Sequence, residues 1–455
     1  MKRTIDYFLL EWKERKHRKP LLLRGARQVG KTYAVRMLGK SFEEHVEINL
    51  ELQHDARIIF EKDTDPKRII QQLSELLQKE IHPQKTLLFF DEVQVVPNAL
   101  LALRYFYEVM PEIHIIAAGS LVDFANEQVG LPVGRVSFLY LYPMSFLEFL
   151  VALGHNKWAQ LIVNNSKDTV ISEPLHEKLL YLVGVYLAIG GMPEAVCEWA
   201  ENQTSWTTKR IQTELISSYQ QDFGKYAKKH QIKYLNLLLQ KGVNQLSKKF
   251  MYTKVGEYQK RELQPSLELL EMAGIIYKVI RSSAQGIPLG AQAFLDDFKL
   301  IFFDVGLCQA LLQFDLTPWI LDPLKTFVNK GEIVESFVGQ EILAYSDPTT
   351  KNSLFYWRRE QRNSQAEIDY AVQLKNHIVP IEVKSGKSKR IKSMQIFLES
   401  HPDTPYGLRF SADNADNHET VHNKVYSYAL YAVVQPFFES NNATAIQEGL
   451  EWLVR

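Results

Sequence analysis

Residues 21–32 constrain the fold of this chain more than any other segment. Three consecutive leucines, Leu21 to Leu23, show no polar alternation, which is typical of a strand buried on both faces of a sheet. The segment that follows matches the pattern G-x-x-x-x-G-K-[ST] at each fixed position and reads Gly25-Ala26-Arg27-Gln28-Val29-Gly30-Lys31-Thr32. Residues 33–38 have the pattern of a helix. A buried strand, a glycine-containing turn and a helix in this order predict an α/β fold.

The residue types of this turn suit a bound phosphate. Gly25 and Gly30 let the backbone turn so that its N–H groups face an anion, and the following helix adds the positive end of its dipole. Lys31 is expected to reach the β- and γ-phosphates of a nucleotide, and the Thr32 hydroxyl is expected to ligate Mg²⁺. The sequence therefore predicts a P-loop that binds ATP and Mg²⁺ through residues 25–32.

A second apolar strand supports this prediction, because it ends in two carboxylates. Residues 87–90 are Leu-Leu-Phe-Phe, and Asp91 and Glu92 follow them. Asp91 is expected to hold Mg²⁺ directly or through water, and Glu92 is expected to polarise the water that attacks ATP. A small-molecule kinase would use the same loop, but this acidic pair and the length of the remaining chain disfavour it.

Two further residues are candidates for the nucleotide site. A third apolar strand, residues 113–118, ends at Gly119-Ser120. Ser120 would either sense the γ-phosphate and orient water or cap the helix that begins after it. Arg135, which comes later, would either act as an arginine finger at a phosphate of a neighbouring subunit or form an ion pair on the surface.

At this point the sequence resembles a widespread prokaryotic family of AAA-type ATPases. The motifs that carry the resemblance extend over nearly the whole chain. They are Gly25–Thr32, Phe89-Phe90-Asp91-Glu92, Ala118-Gly119-Ser120, Pro143–Phe149, Gly190–Glu194, Trp357-Arg358, Glu367-Ile368-Asp369 and Ile381–Ser385. The resemblance implies a P-loop domain followed by other domains, the last of which looks like the PD-(D/E)XK restriction-endonuclease fold. It also implies a possible homo-oligomer, since AAA-type ATPases usually assemble rings, and it leaves a monomer or a dimer as the alternatives.

The middle of the chain has two different patterns. Residues 137–230 are mostly helical by apolar spacing and predict a lid on the nucleotide domain. Residues 232–300 contain two amphipathic helices and then a strand, a turn and a strand, which predicts a winged helix. Such a domain would contact DNA or serve only for packing or for binding a partner. The basic residues offered as phosphate contacts are Lys248, Lys249, Lys254, Lys260 and Arg261.

The C-terminal part carries a second predicted site. A hairpin that turns near Asn376 would bring Asp369 towards Glu382, and Lys384 shares a face with Glu382 because side chains alternate along a strand. This is the D-(x)n-E-x-K arrangement of restriction-endonuclease-like nucleases. Asp369 and Glu382 would bind Mg²⁺ or Mn²⁺ with Glu335 as a further ligand, and Lys384 would orient water or neutralise a phosphate. A salt-bridged strand edge is the alternative.

These observations predict four regions. They are a P-loop AAA-type domain at 1–150, a helical lid at 151–230, a winged-helix domain at 231–325 and a nuclease-like α/β domain at 326–455. The 53 basic and 53 acidic residues balance, which excludes a strongly basic nucleic-acid coat protein, and the two cysteines support neither a zinc ribbon nor a disulfide framework. No membrane segment or export signal is visible, so a cytoplasmic location is expected.

Two functions fit these predictions. In the first, ATP binding and hydrolysis control a metal-dependent nuclease domain that acts on DNA. In the second, the protein is an ATP-dependent switch or scaffold that binds nucleic acid or a protein partner without cleavage. Both use the same P-loop residues, so Asp369, Glu382 and Lys384 distinguish them.

Overall fold

The computed structural model describes most of the chain. The residues outside the description are 121–129, 131–133, 165–170, 316, 319–321, 323–324, 326–329, 362–363, 387–390, 415, 420–423 and 439–443. Within the described part, no helix has both the length and the apolar character needed to cross a bilayer.

The N-terminal region is a five-stranded parallel sheet with helices packed around it. Its elements are α1 (Thr4–Glu14), β1 (Leu21–Arg24), α2 (Lys31–Gly39), β2 (Glu44–Asn49), α3 (His54–Lys62), α4 (Pro66–Leu77), β3 (Thr86–Asp91), α5 (Pro97–Val109), β4 (His114–Ala118) and β5 (Ser137–Tyr140). The strand order is β2-β3-β4-β1-β5. Strands β3 and β4 are buried along their whole length, which explains their unbroken apolar sequences.

A helical region follows this sheet. Its helices are α6 (Phe146–Ala152), α7 (Asn156–Asn164), α8 (Glu173–Ile189), α9 (Pro193–Asn202), α10 (Ser205–Tyr226), α11 (Ile232–Gly242), α12 (Lys260–Met272) and α13 (Val305–Leu311). Helix α8 lies within the segment 137–230 that the apolar spacing predicts to be mostly helical. It ends at Ile189, and the next residue, Gly190, has a φ of +81°, which suits glycine. A Cβ added to Gly190 would lie 2.2 Å from a carboxylate oxygen of Asp304.

The remaining elements form a second sheet with eight strands. They are β6 (Ile276–Ser282), β7 (Ala293–Phe302), α14 (Gly331–Ala344), β8 (Leu354–Gln361), β9 (Ser364–Leu374), β10 (His377–Val383), α15 (Lys392–Ser400), β11 (Tyr406–Ser411), β12 (Asp416–Glu419), β13 (Lys424–Ala429), α16 (Val434–Phe438) and α17 (Thr444–Val454). The strand order is β12-β13-β11-β10-β9-β8-β6-β7.

The hairpin β6–β7 is part of this second sheet. It follows helices α11 and α12, as the winged-helix prediction expects, but β6 pairs in parallel with β8 at residues 279–281 and 354–356. The hairpin therefore does not project as a free wing. The predicted winged-helix and nuclease-like regions share one continuous sheet, and β7 brings its side chains beside those of β9 and α14.

Candidate functional site

The P-loop is positioned at the carboxyl end of β1, in the middle of the parallel sheet. Gly25 has φ +146°, and a Cβ there would lie 2.1 Å from the carbonyl oxygen of Leu141, so only glycine fits. Gly30 has φ +99° and directly precedes α2. The first N–H groups of α2 therefore face the loop, which is the arrangement that binds phosphate at a helix N-terminus.

Lys31 folds back over this loop. Its Nζ donates hydrogen bonds to the carbonyl oxygens of Gly25, at 2.9 Å, and Ala26, at 2.7 Å. Burial lowers the pKa of Lys31 to about 8, although the nearby carboxylates of Glu92 and Asp91 oppose that shift. The ammonium group is thus held within the loop, next to the position where the helix N-terminus would receive a phosphate.

Thr32 and Asp91 meet as the sequence predicts for a magnesium site. The Thr32 hydroxyl donates a hydrogen bond to Oδ2 of Asp91 at 3.0 Å. The two residues can meet because only β4 separates β3 from β1 and both strands end at the same edge of the sheet. Burial raises the pKa of Asp91. A hydroxyl and a carboxylate are oxygen donors of the kind that Mg²⁺ prefers, so this pair fits the ion.

Glu92 and Ser120 lie at the same edge of the sheet. Glu92 has φ +52°, in the left-handed region, and its Oε2 accepts a hydrogen bond from Nε2 of Gln94 at 2.6 Å. Ser120 follows β4, the strand between β1 and β3, and lines a small cavity together with Gly25 and Ala26. The helix that Ser120 would cap falls on residues 121–129, which lie outside the described residues.

The two arginine candidates have partners within the chain. Nε of Arg135 lies 3.0 Å from Oε1 of Glu108, and the side chain is about half exposed. This is the surface ion pair of the alternative interpretation, and a role at a neighbouring subunit stays a prediction. Arg27 pairs with Asp222 of α10 at 2.5 Å, which the sequence did not indicate.

The C-terminal residues predicted to converge do lie together. Strands β9 and β10 form an antiparallel hairpin, and Oδ2 of Asp369 accepts a hydrogen bond from the backbone N–H of Val383 at 2.7 Å. Nζ of Lys384 lies 2.7 Å from Oε1 of Glu382. The other carboxylate oxygen of Glu382, Oε2, is buried, and no atom in the described part of the chain forms a hydrogen bond with it. Burial raises the pKa of both Asp369 and Glu382.

A lysine that sequence reasoning missed occupies the centre of this cluster. Nζ of Lys299, on β7, lies 3.0 Å from Oε1 of Glu335, 2.6 Å from Oε1 of Glu367 and 4.0 Å from Oδ1 of Asp369. Its side chain is 1% exposed. The available signal was a single lysine within the apolar run of residues 298–303, because a charge in such a run must be paired when the strand is buried.

Only two carboxylates of the cluster, those of Asp369 and Glu382, are available as metal ligands. Among the described residues, no group of three or more His, Cys, Asp or Glu side chains is arranged to hold a metal ion. Glu335, the predicted third ligand, pairs with Lys299 instead. Asp369 and Glu382 remain as possible metal ligands. A cation bound beside Oε2 of Glu382 would satisfy this oxygen, which has no hydrogen-bond partner among the described residues. Mg²⁺ is commonly bound by one or two carboxylates together with water and substrate phosphate, so this pair fits it.

The basic residues of the middle region are largely paired. Three of the five residues offered as phosphate contacts form ion pairs with carboxylates of the chain, and Lys254 and Arg261 are exposed. The pairs are Lys248–Glu332 at 2.9 Å, Lys249–Asp297 at 2.8 Å and Lys260–Asp296 at 2.6 Å. To bind these three lysines, a DNA phosphate would have to compete with the carboxylate that already pairs with each of them.

Comparison with known families agrees with the N-terminal geometry. Residues 17–150 match the family described as AAA domain. Residues 182–317 and 330–431 match two families described as Domain of unknown function (DUF8612) and Domain of unknown function (DUF4143). No curated protein sequence matches the chain.

Two solved structures show only weak similarity. The Aeropyrum pernix ORC1 protein in complex with DNA is 14% identical, with a TM-score of 0.29 over 68% of this chain and 90% of its own. Protein VC1899 from Vibrio cholerae is 12% identical, with a TM-score of 0.15 over 95% of this chain and 98% of its own. Scores this low carry no argument about the fold.

The P-loop on a parallel sheet, the Thr32–Asp91 contact and the family match define the class of the N-terminal region. It is a P-loop domain of the AAA ATPase type. The rest of the chain matches only families of unknown function, so its role follows from its own geometry.

Proposed function

We propose that the protein binds and hydrolyses ATP at its P-loop, and that the nucleotide state controls the carboxylate site of the second sheet, which acts on DNA. The observation that carries the first part is the contact between Thr32 and Asp91 beside the Gly25–Gly30 loop. The second part is supported by the convergence of Asp369, Glu382 and Lys384 on one hairpin.

At the nucleotide site, each residue has a distinct task. The backbone N–H groups of residues 25–32 hold the phosphates, and Lys31 exchanges its two carbonyl partners for phosphate oxygens. Thr32 and Asp91 would hold Mg²⁺, which offsets the charge of the phosphates. Glu92 accepts the proton of the attacking water, and Gln94 holds its carboxylate in place until then.

At the carboxylate site, Asp369 and Glu382 would hold Mg²⁺ or Mn²⁺. Such an ion lowers the pKa of a bound water and stabilises charge on a phosphate during hydrolysis. Lys384 is positioned by Glu382 at 2.7 Å, so that its ammonium group can turn to the scissile phosphate and neutralise it. The product would be a cleaved phosphodiester backbone.

A continuous set of contacts joins the two sites. The Tyr219 hydroxyl, on α10, donates to the carbonyl oxygen of Arg27 in the P-loop. The Tyr219 ring packs edge-on against Phe303, with centroids 5.3 Å apart. Phe303 follows directly after β7, which carries Lys299. A shift of the P-loop on nucleotide binding therefore has a physical route to the carboxylate cluster.

The decisive experiment is a DNA-cleavage assay with Mg²⁺ or Mn²⁺ on plasmid and single-stranded DNA, with and without ATP. Wild type is compared with Lys31→Ala, with Lys384→Ala and with Lys392→Ala, an exposed lysine on α15 that serves as the matched control. We expect cleavage by wild type and by the control, loss of cleavage in Lys384→Ala, and loss of the ATP effect in Lys31→Ala.

A non-cleaving switch or scaffold is the second candidate. The observation that favours it is the pairing of the cluster by its own lysines, Lys299 with Glu335 and Glu367 and Lys384 with Glu382. ATP hydrolysis without cleavage under any metal condition, with ATP-dependent binding of DNA or a protein, would establish this function and overturn the nuclease proposal.

A further inference from the structure

We propose that Lys299 is a built-in cation of the carboxylate site, which limits the site to a single divalent ion held by Asp369 and Glu382. This inference rests on the proposed function of that site. Lys299 comes from β7, outside the β9–β10 hairpin that carries the predicted residues. The β6–β7 hairpin is therefore also part of the site.

The contacts of Lys299 divide the cluster into two halves. Its ammonium group lies within 3.0 Å of Glu335 and of Glu367, and 4.0 Å from the nearer oxygen of Asp369. Glu335 and Glu367 are thus neutralised by the chain itself. Asp369 lies at the edge of this ammonium group, at 4.0 Å, and stays available to a second cation.

The charge of the cluster points to the same number of ions. With every group ionised, its four carboxylates and two ammonium groups carry a formal charge of −2, which is the most negative charge that the cluster can reach. One divalent cation balances that charge, whereas two would leave an excess positive charge in a largely buried site. Buried charges are stable only when they are balanced and hydrogen-bonded.

An independent observation places the open ligand position on the other half. Glu382 is 5% exposed, and its Oε1 pairs with Lys384. Its Oε2 is buried and has no hydrogen-bond partner among the residues that the structure describes, which is unfavourable for a carboxylate oxygen. The backbone N–H of Val383 already holds Asp369 beside this position. The unsatisfied oxygen therefore lies on the side of the cluster that Lys299 does not neutralise.

The experiment counts bound Mn²⁺ in the nucleotide-free full chain by electron paramagnetic resonance. All proteins carry Asp91→Asn, so that the P-loop contributes no ion. The parent is expected to bind one ion, Lys299→Met is expected to bind two, and the charge-compensated Lys299→Met/Glu367→Gln is expected to return to one. Lys249→Met, on the same sheet edge and paired with Asp297, is the matched control and should resemble the parent.

A further variant keeps the test informative if Lys299→Met does not fold. Glu367 is not a proposed ligand and is partly exposed. Glu367→Gln frees the charge of Lys299 to act on Asp369, and we expect Mn²⁺ to bind about tenfold more weakly. The double variant Lys299→Met/Glu367→Gln, which lacks both charges, should then bind Mn²⁺ more tightly than Glu367→Gln. Equal Mn²⁺ affinities of these two variants would contradict the role of Lys299.

The outcomes separate this inference from the function on which it rests. Two bound Mn²⁺ ions in the parent would overturn the role of Lys299 while leaving a metal site in place. The same would follow if Lys299→Met and Glu367→Gln bound as many Mn²⁺ ions as the parent, with the same affinity. No ion in any of the proteins would overturn both the single-ion inference and the metal-dependent function.

Discussion

Arg27 of the P-loop and Asp222 of helix α10 form an ion pair at 2.5 Å. Asp222 is largely buried, and Lys225 on the same helix lies 3.4 Å from its other oxygen. The nucleotide loop is thereby tied to a helix that leads into the middle of the chain. Because Arg27 and Asp222 lie on different elements, the ion pair connects the P-loop to α10, the helix whose Tyr219 packs against Phe303.

Asp222→Asn tests this link. The variant removes the ion pair but keeps the size of the side chain. We expect a non-hydrolysable ATP analogue to change the hydrogen exchange of residues 293–303 in wild type, and we expect Asp222→Asn to lose at least half of that change. ATP affinity should change by less than about threefold, since a partly exposed ion pair contributes little. An unchanged response would contradict the link, and Arg210→Met on the same helix is the control.

Lys31→Ala is expected to lower the rate of ATP hydrolysis by about 10²–10³-fold, because it removes the ammonium group that would bind the developing charge on the phosphates. A steady-state phosphate-release assay measures this. Lys40→Ala, at the exposed end of the same helix, should retain wild-type turnover. Turnover of Lys31→Ala within a few-fold of wild type would show that ATP hydrolysis does not use this loop.

Glu92→Gln should separate binding from hydrolysis. The amide retains an oxygen to accept from Gln94 but cannot take a proton from water. We expect hydrolysis to fall by about 10²–10⁴-fold while a fluorescent ATP analogue still binds with near-wild-type affinity. Equal loss of both would mean that Glu92 supports the loop rather than the reaction. Glu80→Gln, an exposed carboxylate, is the control.

Glu341 predicts a pH dependence of stability. It lies on α14 and accepts the backbone N–H of Phe146 at 3.0 Å, and burial raises its pKa from 4.5 to about 8, against opposing hydrogen bonds. The other titratable groups nearby are Tyr345, Tyr186 and Glu148. The folded state binds this proton more tightly than the unfolded state, so its contribution to the free energy of unfolding is complete below pH 4.5 and is lost as the pH rises to about 8.

Glu341→Gln should remove that contribution. The difference in unfolding free energy between the variant and wild type is expected to change by up to about 1.4 kcal/mol per pH unit within this window. Urea denaturation at several pH values measures the slope, and the amide preserves an acceptor for Phe146. Parallel pH profiles for the two proteins would contradict the raised pKa. Glu399→Gln, which is exposed, controls for the loss of one charge.

Arg3, which contacts the P-loop at Val29, predicts a large effect on stability. Its Nε lies 2.9 Å from Oε2 of Glu148, both side chains are under 10% exposed, and its other nitrogens donate to the carbonyl oxygens of Val29 and Tyr142. Arg3→Met leaves Glu148 buried without its cation, and the unfolding free energy should fall by about 3–5 kcal/mol. Arg3→Met/Glu148→Gln should recover part of it. A loss below about 1 kcal/mol would show that the pair is not effectively buried.

Local patterns accounted for much of the fold. The apolar runs at 21–23 and 87–90 are buried strands, and most of the segment 137–230, predicted to be helical, forms helices such as α8. These predictions succeed because each depends on side-chain periodicity within one element. The pairing of β6 with β8 depends on residues more than 70 positions apart, and no local pattern reports it.

The same division holds for the two sites. The sequence by itself determined the nucleotide loop, since glycine, lysine and threonine at fixed spacing bind phosphate through the backbone turn that they make. The convergence of Asp369, Glu382 and Lys384 could also be predicted from the sequence, because all three lie on one hairpin or directly after it. Only the tertiary structure decided that Lys299 lies among their carboxylates and that Asp222 holds Arg27. Those contacts join separate elements, and burial, rather than spacing along the chain, makes each charge require its partner.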